Sequence, residues 1–412
     1  MSKTMVHETR NTIPVPVFLT EGFRFFFLMA GLFGFLSVAF WLVWLAVHAM
    51  DGVVPAPTIG IAPHYWHAHE MIYGYAVAVI SGFFLTAVPN WTNSKPARAL
   101  FVTSVGMVWL AGRLAVWFSA SLPLELVALI DLAFLPPLAA RIAWNLRRNP
   151  QPRNLVFIGL LAILFTGNLL MHLGWMDIVD YGAEQGARVG LLTVCGMIAI
   201  VGGRIVPAFT RNALRRIGIE EAARLPVTNE KLEKAGILTS ILVPFLVLAD
   251  LGDLAVGFAA LAACLVNMVR FSRWCWRATL TDPILWSLHL GFFMLILGYA
   301  SLAGALLLDW PNEVAALHML GIGAVGGMTM AVMTRATLGH SGRPLKVSRL
   351  TACAYLMIAI AALIRGVLVD WFPGAYNEIM LVSGAIWLLG FALFLVRYGP
   401  LLTTPRPVTG ST

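Results

Sequence analysis

Residues 22–49 read GFRFFFLMAGLFGFLSVAFWLVWLAVHA, with one arginine near the start and one histidine near the end as the only ionisable side chains. A helix that crosses a bilayer needs about 20 mostly apolar residues, so this run reads as a membrane helix. The same measure marks eleven more runs: 67–89, 97–118, 122–143, 154–176, 186–208, 236–251, 254–271, 282–308, 312–334, 349–369 and 376–397. The expected fold is all-α and integral to a membrane, a single polytopic domain over 1–412 with about twelve transmembrane helices. The seventh and eighth runs are short and share the tight turn Asp250-Leu251-Gly252-Asp253. Composition agrees: charged residues are 12% of the chain and hydrophobic ones 59%, against roughly 25% charged in a soluble domain.

The formal charge of +8 is spread over short loops, which makes it a topology signal and argues against a nucleic-acid partner. Lys95 and Arg98 follow the second run; Arg141, Arg147, Arg148 and Arg153 the fourth; Arg211, Arg215, Arg216, Arg224, Lys231 and Lys234 the sixth; Arg270, Arg273 and Arg277 the eighth; Arg343, Lys346 and Arg349 the tenth. The alternate loops carry Asp51, Asp177, Asp180, Glu184, Asp250, Asp253, Asp309, Glu313 and Asp370 instead. Positive-inside topology then places both termini and the basic, partly helical loop 209–235 in the cytoplasm, the chain lying in a membrane among lipid. Residues before Glu21 are too polar for a signal-peptide core, so an uncleaved start is expected. Cys195, Cys264, Cys275 and Cys353 follow no paired spacing and read as packed thiols.

An internal echo suggests three four-helix units. Val201-Gly202-Gly203 precedes Thr210-Arg211 by the interval at which Val325-Gly326-Gly327 precedes Thr334-Arg335. Gly82, with Pro89 and Thr92 after it, echoes both more weakly.

Nine histidines are distributed unevenly in depth. His48, His64, His67, His69, His172 and His318 fall in the outer third or outer loops; His289 sits in the inner half of its helix, and His340 and His7 are cytoplasmic. Imidazole is a common ligand of iron, copper and zinc, and membrane helices seldom keep ionisable groups without a use. The densest stretch is His64-Tyr65-Trp66-His67-Ala68-His69-Glu70-Met71. His67 and His69 are two apart, so on a helix they point about 200° apart and serve different centres. Pro63 suggests the helix is only starting at His64. Glu70 is either a proton carrier or ligand-orienting acceptor, or a solvated carboxylate at a helix start. Gly74, Ala78 and Gly82, and Gly321, Gly323, Ala324, Gly326 and Gly327 after His318, either pack helices or leave room for a flat macrocycle. Arg113, Arg188 and Arg365 break the positive-inside pattern. They are read as partners of carboxylates (Glu125 for Arg113, Glu184 for Arg188) or of heme propionates. Asp131, the deepest carboxylate, is a proton relay or pairs with a nearby amide or hydroxyl.

Trp66-His67-Ala68-His69-Glu70-Met71, then Gly74, then Leu85-Thr86-Ala87-Val88-Pro89-Asn90-Trp91-Thr92, resembles the signature block of NnrS family membrane proteins. The stretch from Val201 to Thr210 and that from Thr334 to His340 resemble its second and third blocks. The resemblance implies twelve helices, bound heme (heme b) and copper, and a role in nitric oxide metabolism or tolerance. The catalytic subunits of heme–copper oxidases offer an analogy, with heme ligands on helices 2 and 10. Here, however, helix 6 has no histidine, helix 7 no His-His pair, and helix 10 one histidine. Copper must then use other groups among His48, His64, His172, Met71, Met171 and Met319.

The leading reading is a heme- and copper-containing redox protein acting on nitric oxide, with quinol as electron source and Glu70 as proton carrier. A non-catalytic heme sensor or accessory protein and a twelve-helix transporter are the alternatives. His318 and one of His67 and His69 are the expected heme ligands, His69 being favoured because it lies deeper.

Overall fold

The computed structural model describes residues 15–52 and 58–407. His7, both chain ends and the side chain of Arg153 lie outside the described residues, and with them the expected position of the termini. All regular elements among the described residues are helical. Twelve long helices follow in order: α1 (Gly22–Ala49), α2 (Pro63–Thr92), α3 (Ala99–Trp117), α4 (Leu124–Leu146), α5 (Pro152–Trp175), α6 (Gly182–Arg216), α7 (Glu230–Leu248), α8 (Asp253–Ser272), α9 (Pro283–Leu308), α10 (Glu313–His340), α11 (Arg349–Trp371) and α12 (Tyr376–Thr403).

Eleven of these are long and apolar enough to cross a bilayer; α7 falls short because its first turns carry Glu230, Lys231, Glu233 and Lys234. Asn229 caps it, accepting from the amides of Lys231 and Leu232. Its apolar remainder ends in the expected tight turn to α8, where Asp250 and Gly252 adopt φ of 51° and 81°; glycine takes that conformation without a Cβ clash. Several helices outrun the apolar runs. α6 continues to Arg216 and α10 to His340, because polar residues extend a helix without adding hydropathy. α4 breaks between Leu132 and Leu135, just before Pro136 and Pro137, which lack the amides needed to continue the ladder.

Burial sorts the helices into layers. The apolar windows of α2 and α6 are 78% buried and that of α10 is 67%, against 33–50% for the other windows. Every fourth helix is therefore internal, the arrangement expected of three four-helix units. The inner helices touch directly: the Tyr73 hydroxyl donates to the Gly186 carbonyl (2.7 Å), and the hydroxyls of Tyr75 and Thr329 lie 2.5 Å apart. The outer ring closes between α1 and α12. Trp387 Nε1 donates to the Gly34 carbonyl (2.9 Å). Buried Arg24 donates to the carbonyls of Leu401, Leu402 and Thr404 (3.2, 3.2 and 2.9 Å) at the end of α12, where carbonyls lack intrahelical partners.

Most of the small-residue stripes serve this packing. A Cβ at Gly82 would stand 2.7 Å from the Phe27 ring, and one at Gly323 3.1 Å from Met294. Gly203 and Gly236 make room for Arg270, which is buried and donates to Glu233 (2.6 Å), Asn267 (2.7 Å) and the Ala199 carbonyl (3.2 Å). This knot ties α6, α7 and α8 together. Gly203→Ala should push the guanidinium out of place and cost about 1–3 kcal/mol, the usual penalty of overpacking. An earlier thermal transition of the detergent-solubilised protein, with other glycine-to-alanine changes such as Gly399→Ala silent, is the expected readout.

Candidate functional site

The ends of α2, α6 and α10 away from the basic loops surround a cavity of about 500 Å³, closed on its other sides by α1, α11 and α12. Three helices change pitch along its wall. Wide π-type turns occupy Glu70–Ala76 of α2, Met319–Gly326 of α10 and Ile364–Leu368 of α11, and each contributes lining residues. Such turns insert an extra residue and re-aim the side chains around them, which is why they concentrate at functional sites. On α2 and α10 the wide turn begins directly after a histidine, His69 and His318.

His67 and His318 both line this cavity. Their rings are 8° from parallel with centroids 6.4 Å apart, too far for direct ring contact. One metal ion bound between two imidazoles at about 2.0–2.1 Å, each ring centre lying about 1.1 Å behind its nitrogen, requires roughly 6.3 Å. The centroid separation is one that two imidazoles sharing a single ion would have. His318 Nδ1 donates to the Val314 carbonyl (2.7 Å), which leaves Nε2 as the free ligand atom. His67 lies against Trp41 (4.7 Å, 16°), and its Nδ1 is buried without a partner.

Two of the three exceptional arginines border the same cavity. Arg365 is 3% exposed, and its Nε and Nη1 have no hydrogen-bond partner among the described residues. A buried guanidinium with free donors in an apolar wall calls for an anionic acceptor. Arg188 pairs with Asp253 (2.8 Å) and Glu313 (2.9 Å), not with Glu184 as the sequence suggested. Glu184 lies four residues away on the same helix, but α8 and α10 bring their carboxylates to the guanidinium directly. Gly321 opens onto the cavity with only Leu191 near it at 3.9 Å, so of the stripe below His318 this glycine is the one that leaves room for a ligand.

His69 points to the opposite side of α2, into a second group built with α3, α4 and α5. Its Nδ1 donates to Glu70 Oε1 (2.9 Å), and its Nε2 lies 2.9 Å from Asn168 Oδ1 and 3.2 Å from Asp131 Oδ2. His172 Nε2 is 3.0 Å from the same Asp131 oxygen, to which Asn168 Nδ2 also donates (2.8 Å). Arg113 bridges the two carboxylates, donating to Glu70 (2.5 Å) and to Asp131. All six side chains are at most 6% exposed. Three local features position them. The break in α4 follows Asp131 directly; Asn168 and His172 stand one helical turn apart on α5; and Gly74 lets Arg113 approach α2, since a Cβ there would lie 3.0 Å from its Nη1. Glu70 is thus no solvated carboxylate, and Arg113 pairs with Glu70 and Asp131 and not with exposed Glu125.

The geometry separates the remaining candidates. The two imidazoles of α2 do serve opposite sides, but His67, not the deeper His69, shares the cavity with His318; depth along a helix says nothing of azimuth. His64 is exposed and lines the cavity mouth. His48 sits on the exposed end of α1, stacked on Trp44 (5.0 Å, 12°), which in turn stacks on Trp41 (5.1 Å, 6°). His289 bonds Thr210 (2.9 Å) and packs on Phe271, and His340 packs on Phe23; neither lines the cavity. Met71 does, while Met319 packs on Gly366 and Met171 on Gly186. Sequence reasoning missed Asn168, whose signal was an amide four residues before His172 in an apolar run. It also missed Trp41 and Glu313, which carry no spacing signal.

A bundle of apolar helices around an imidazole-lined cavity defines a multi-pass helical membrane protein with an internal cavity. The chain belongs to the NnrS family: the family model described as NnrS protein matches residues 17–406, nearly the whole chain. That membership links it to nitric oxide-related function and to metal or heme binding. Among curated proteins none matches the chain.

Proposed function

We propose that the protein is a membrane redox protein of nitric oxide metabolism in which the cavity holds heme b between His67 and His318. The observation that carries this reading is the parallel setting of the two imidazoles at 6.4 Å between ring centroids. When bound, heme would supply one-electron chemistry. His67 and His318 would hold the iron, Trp41 would brace the His67 ring, and the free donors of Arg365, with Arg188 at the rim, would take the carboxylates of the macrocycle. Largely apolar walls from six helices would shield the inner part of the cavity from water. Copper is the second metal in this reading, and quinol in the lipid is the electron source, so the protein acts as a quinol-dependent nitric oxide reductase. Glu70 contributes by orienting His69 and holding Arg113. The same cavity without turnover would make the protein a heme-based nitric oxide sensor.

The experiment is an absorption spectrum and metal content of the detergent-purified chain, with nitric oxide consumption followed in the presence of quinol. Heme with quinol-dependent consumption supports the reductase, and heme with nitric oxide binding alone supports the sensor. Absence of both heme and metal overturns the reading in favour of transport. Arg365→Leu should lower heme retention by roughly tenfold, the equivalent of about 1.4 kcal/mol, and shift the midpoint potential; unchanged values would mean that the guanidinium does not meet the heme carboxylates. The reading also puts the protein in the bacterial inner membrane. A reporter inserted in loop 209–235 should then read as cytoplasmic and one at 177–181 as periplasmic; inversion of either would move the cavity mouth to the cytoplasmic face.

A further inference from the structure

We infer that His69, Asp131 and His172 form a second, non-heme metal site, taking one divalent first-row transition-metal ion in the interior of the α2–α5 group. One ring nitrogen of His69, one of His172 and an Asp131 oxygen all lie within 4.8 Å of one another, and all three residues are buried. The two imidazole nitrogens stand 3.2 and 3.0 Å from Asp131 Oδ2. On a tetrahedral ion with bonds of about 2.0–2.2 Å, neighbouring ligand atoms are about 3.3–3.5 Å apart, so the two spacings to Asp131 need to open by only a few tenths of an ångström. Asn168 Oδ1, 2.9 Å from His69 Nε2, offers a fourth oxygen.

The surroundings are those of a ligand sphere. Glu70 accepts from His69 Nδ1 at 2.9 Å, which fixes the tautomer and leaves a lone pair on Nε2, the carboxylate–histidine arrangement that orients metal-binding imidazoles. That lone pair faces two oxygens, of Asn168 and Asp131, an opposition that a cation ligated by all three would relieve. Glu70 and Asp131 bring two negative charges and Arg113 one positive charge, so with neutral imidazoles the buried group carries one negative charge, which attracts a cation; a divalent ion would change the net charge to +1. Two imidazoles and a carboxylate, without thiolate or thioether, are the donor set of divalent copper, zinc or iron and not of a soft monovalent ion. The cavity ligands His67 and His318 belong to a different set, so this assignment stands independently of the heme reading.

The test uses full-length protein in detergent. Heme is measured by absorbance and metal by mass spectrometry, as purified and after incubation with Cu²⁺ or Zn²⁺ and removal of free ion. Wild type should hold about one equivalent of non-heme metal. Glu70→Gln, which keeps the ligands but loosens the His69 orientation, should weaken retention about 10–100-fold, and His172→Gln should remove it, both with heme retained. His318→Ala should do the reverse, losing heme and keeping the metal. Electron paramagnetic resonance of the Cu²⁺-loaded wild type should show splitting from two imidazole nitrogens, a result that needs no variant to fold. Wild-type protein that retains neither Cu²⁺ nor Zn²⁺ would mean that an imidazolium at His69 neutralises the group, and the inference falls. So would undiminished metal and unchanged nitrogen splitting in His172→Gln.

Discussion

His318→Ala protein is expected to insert normally yet carry roughly a tenth or less of the wild-type heme, because losing one of two axial bonds removes more than the ~1.4 kcal/mol that sets a tenfold change in affinity. The side chain is partly open to the cavity and makes one backbone hydrogen bond, to Val314. Its removal therefore leaves little else unsatisfied, and the effect on folding should be small. His67→Ala should match it. There the Trp41 ring loses one of its two stacking partners and keeps Trp44, so a modest loss of stability accompanies the loss of heme. His69→Ala is the control that separates the two sides of α2. It should keep heme while disturbing the group around Asp131, and its fate distinguishes azimuth from depth as the property that matters. Heme per chain and the reduced spectrum of the three variants make the comparison. Full heme in His318→Ala would end the assignment of α10 as a ligand helix.

How much of this was legible follows from what sequence periodicity encodes. Hydropathy carries helix number and order, because lipid imposes a length on every apolar run. It passes over polar extensions such as the end of α6, and it underweights α7, whose charged first turns belong to the loop. The interval between the Gly-Gly pairs of α6 and α10 signalled the repeat, and burial of every fourth helix is its structural counterpart. The opposed directions of His67 and His69 follow from the 100° step of a helix. Which of them meets His318 does not, since that depends on how α2 rotates against α10 and on the wide turns that re-aim both. Arginine partners were misread for the same reason. Glu125 and Glu184 are close in sequence or loop, whereas Glu70, Asp131, Asp253 and Glu313 reach Arg113 and Arg188 across helix interfaces. Local spacing cannot see across an interface unless a polar residue repeats at one helical turn, as Asn168 and His172 do.

Those interface partners set the second large expectation, for stability. Arg113→Leu leaves Glu70 and Asp131 facing each other's surroundings without their shared cation, both at most 3% exposed. Removing one partner of a buried ion pair typically costs about 3–5 kcal/mol, because the remaining charge is stranded where water cannot reach it. The variant should melt far earlier in detergent, or fail to accumulate. The interpretation does not rest on that loss alone. Adding Glu70→Gln to Arg113→Leu removes one of the two stranded charges and should recover part of the deficit, a non-additivity of about 0.5–3 kcal/mol expected for residues in one network. Glu125→Ala, altering an exposed carboxylate that the sequence alone would pair with Arg113, should stay within about 0.5 kcal/mol of wild type. A metal ion at His69, Asp131 and His172 sharpens the comparison, since it would supply some of the missing positive charge. Wild-type and Arg113→Leu proteins melted with and without added Zn²⁺ should therefore converge when the ion is present. Equal destabilisation in both conditions would place the whole burden of neutralising the group on the guanidinium.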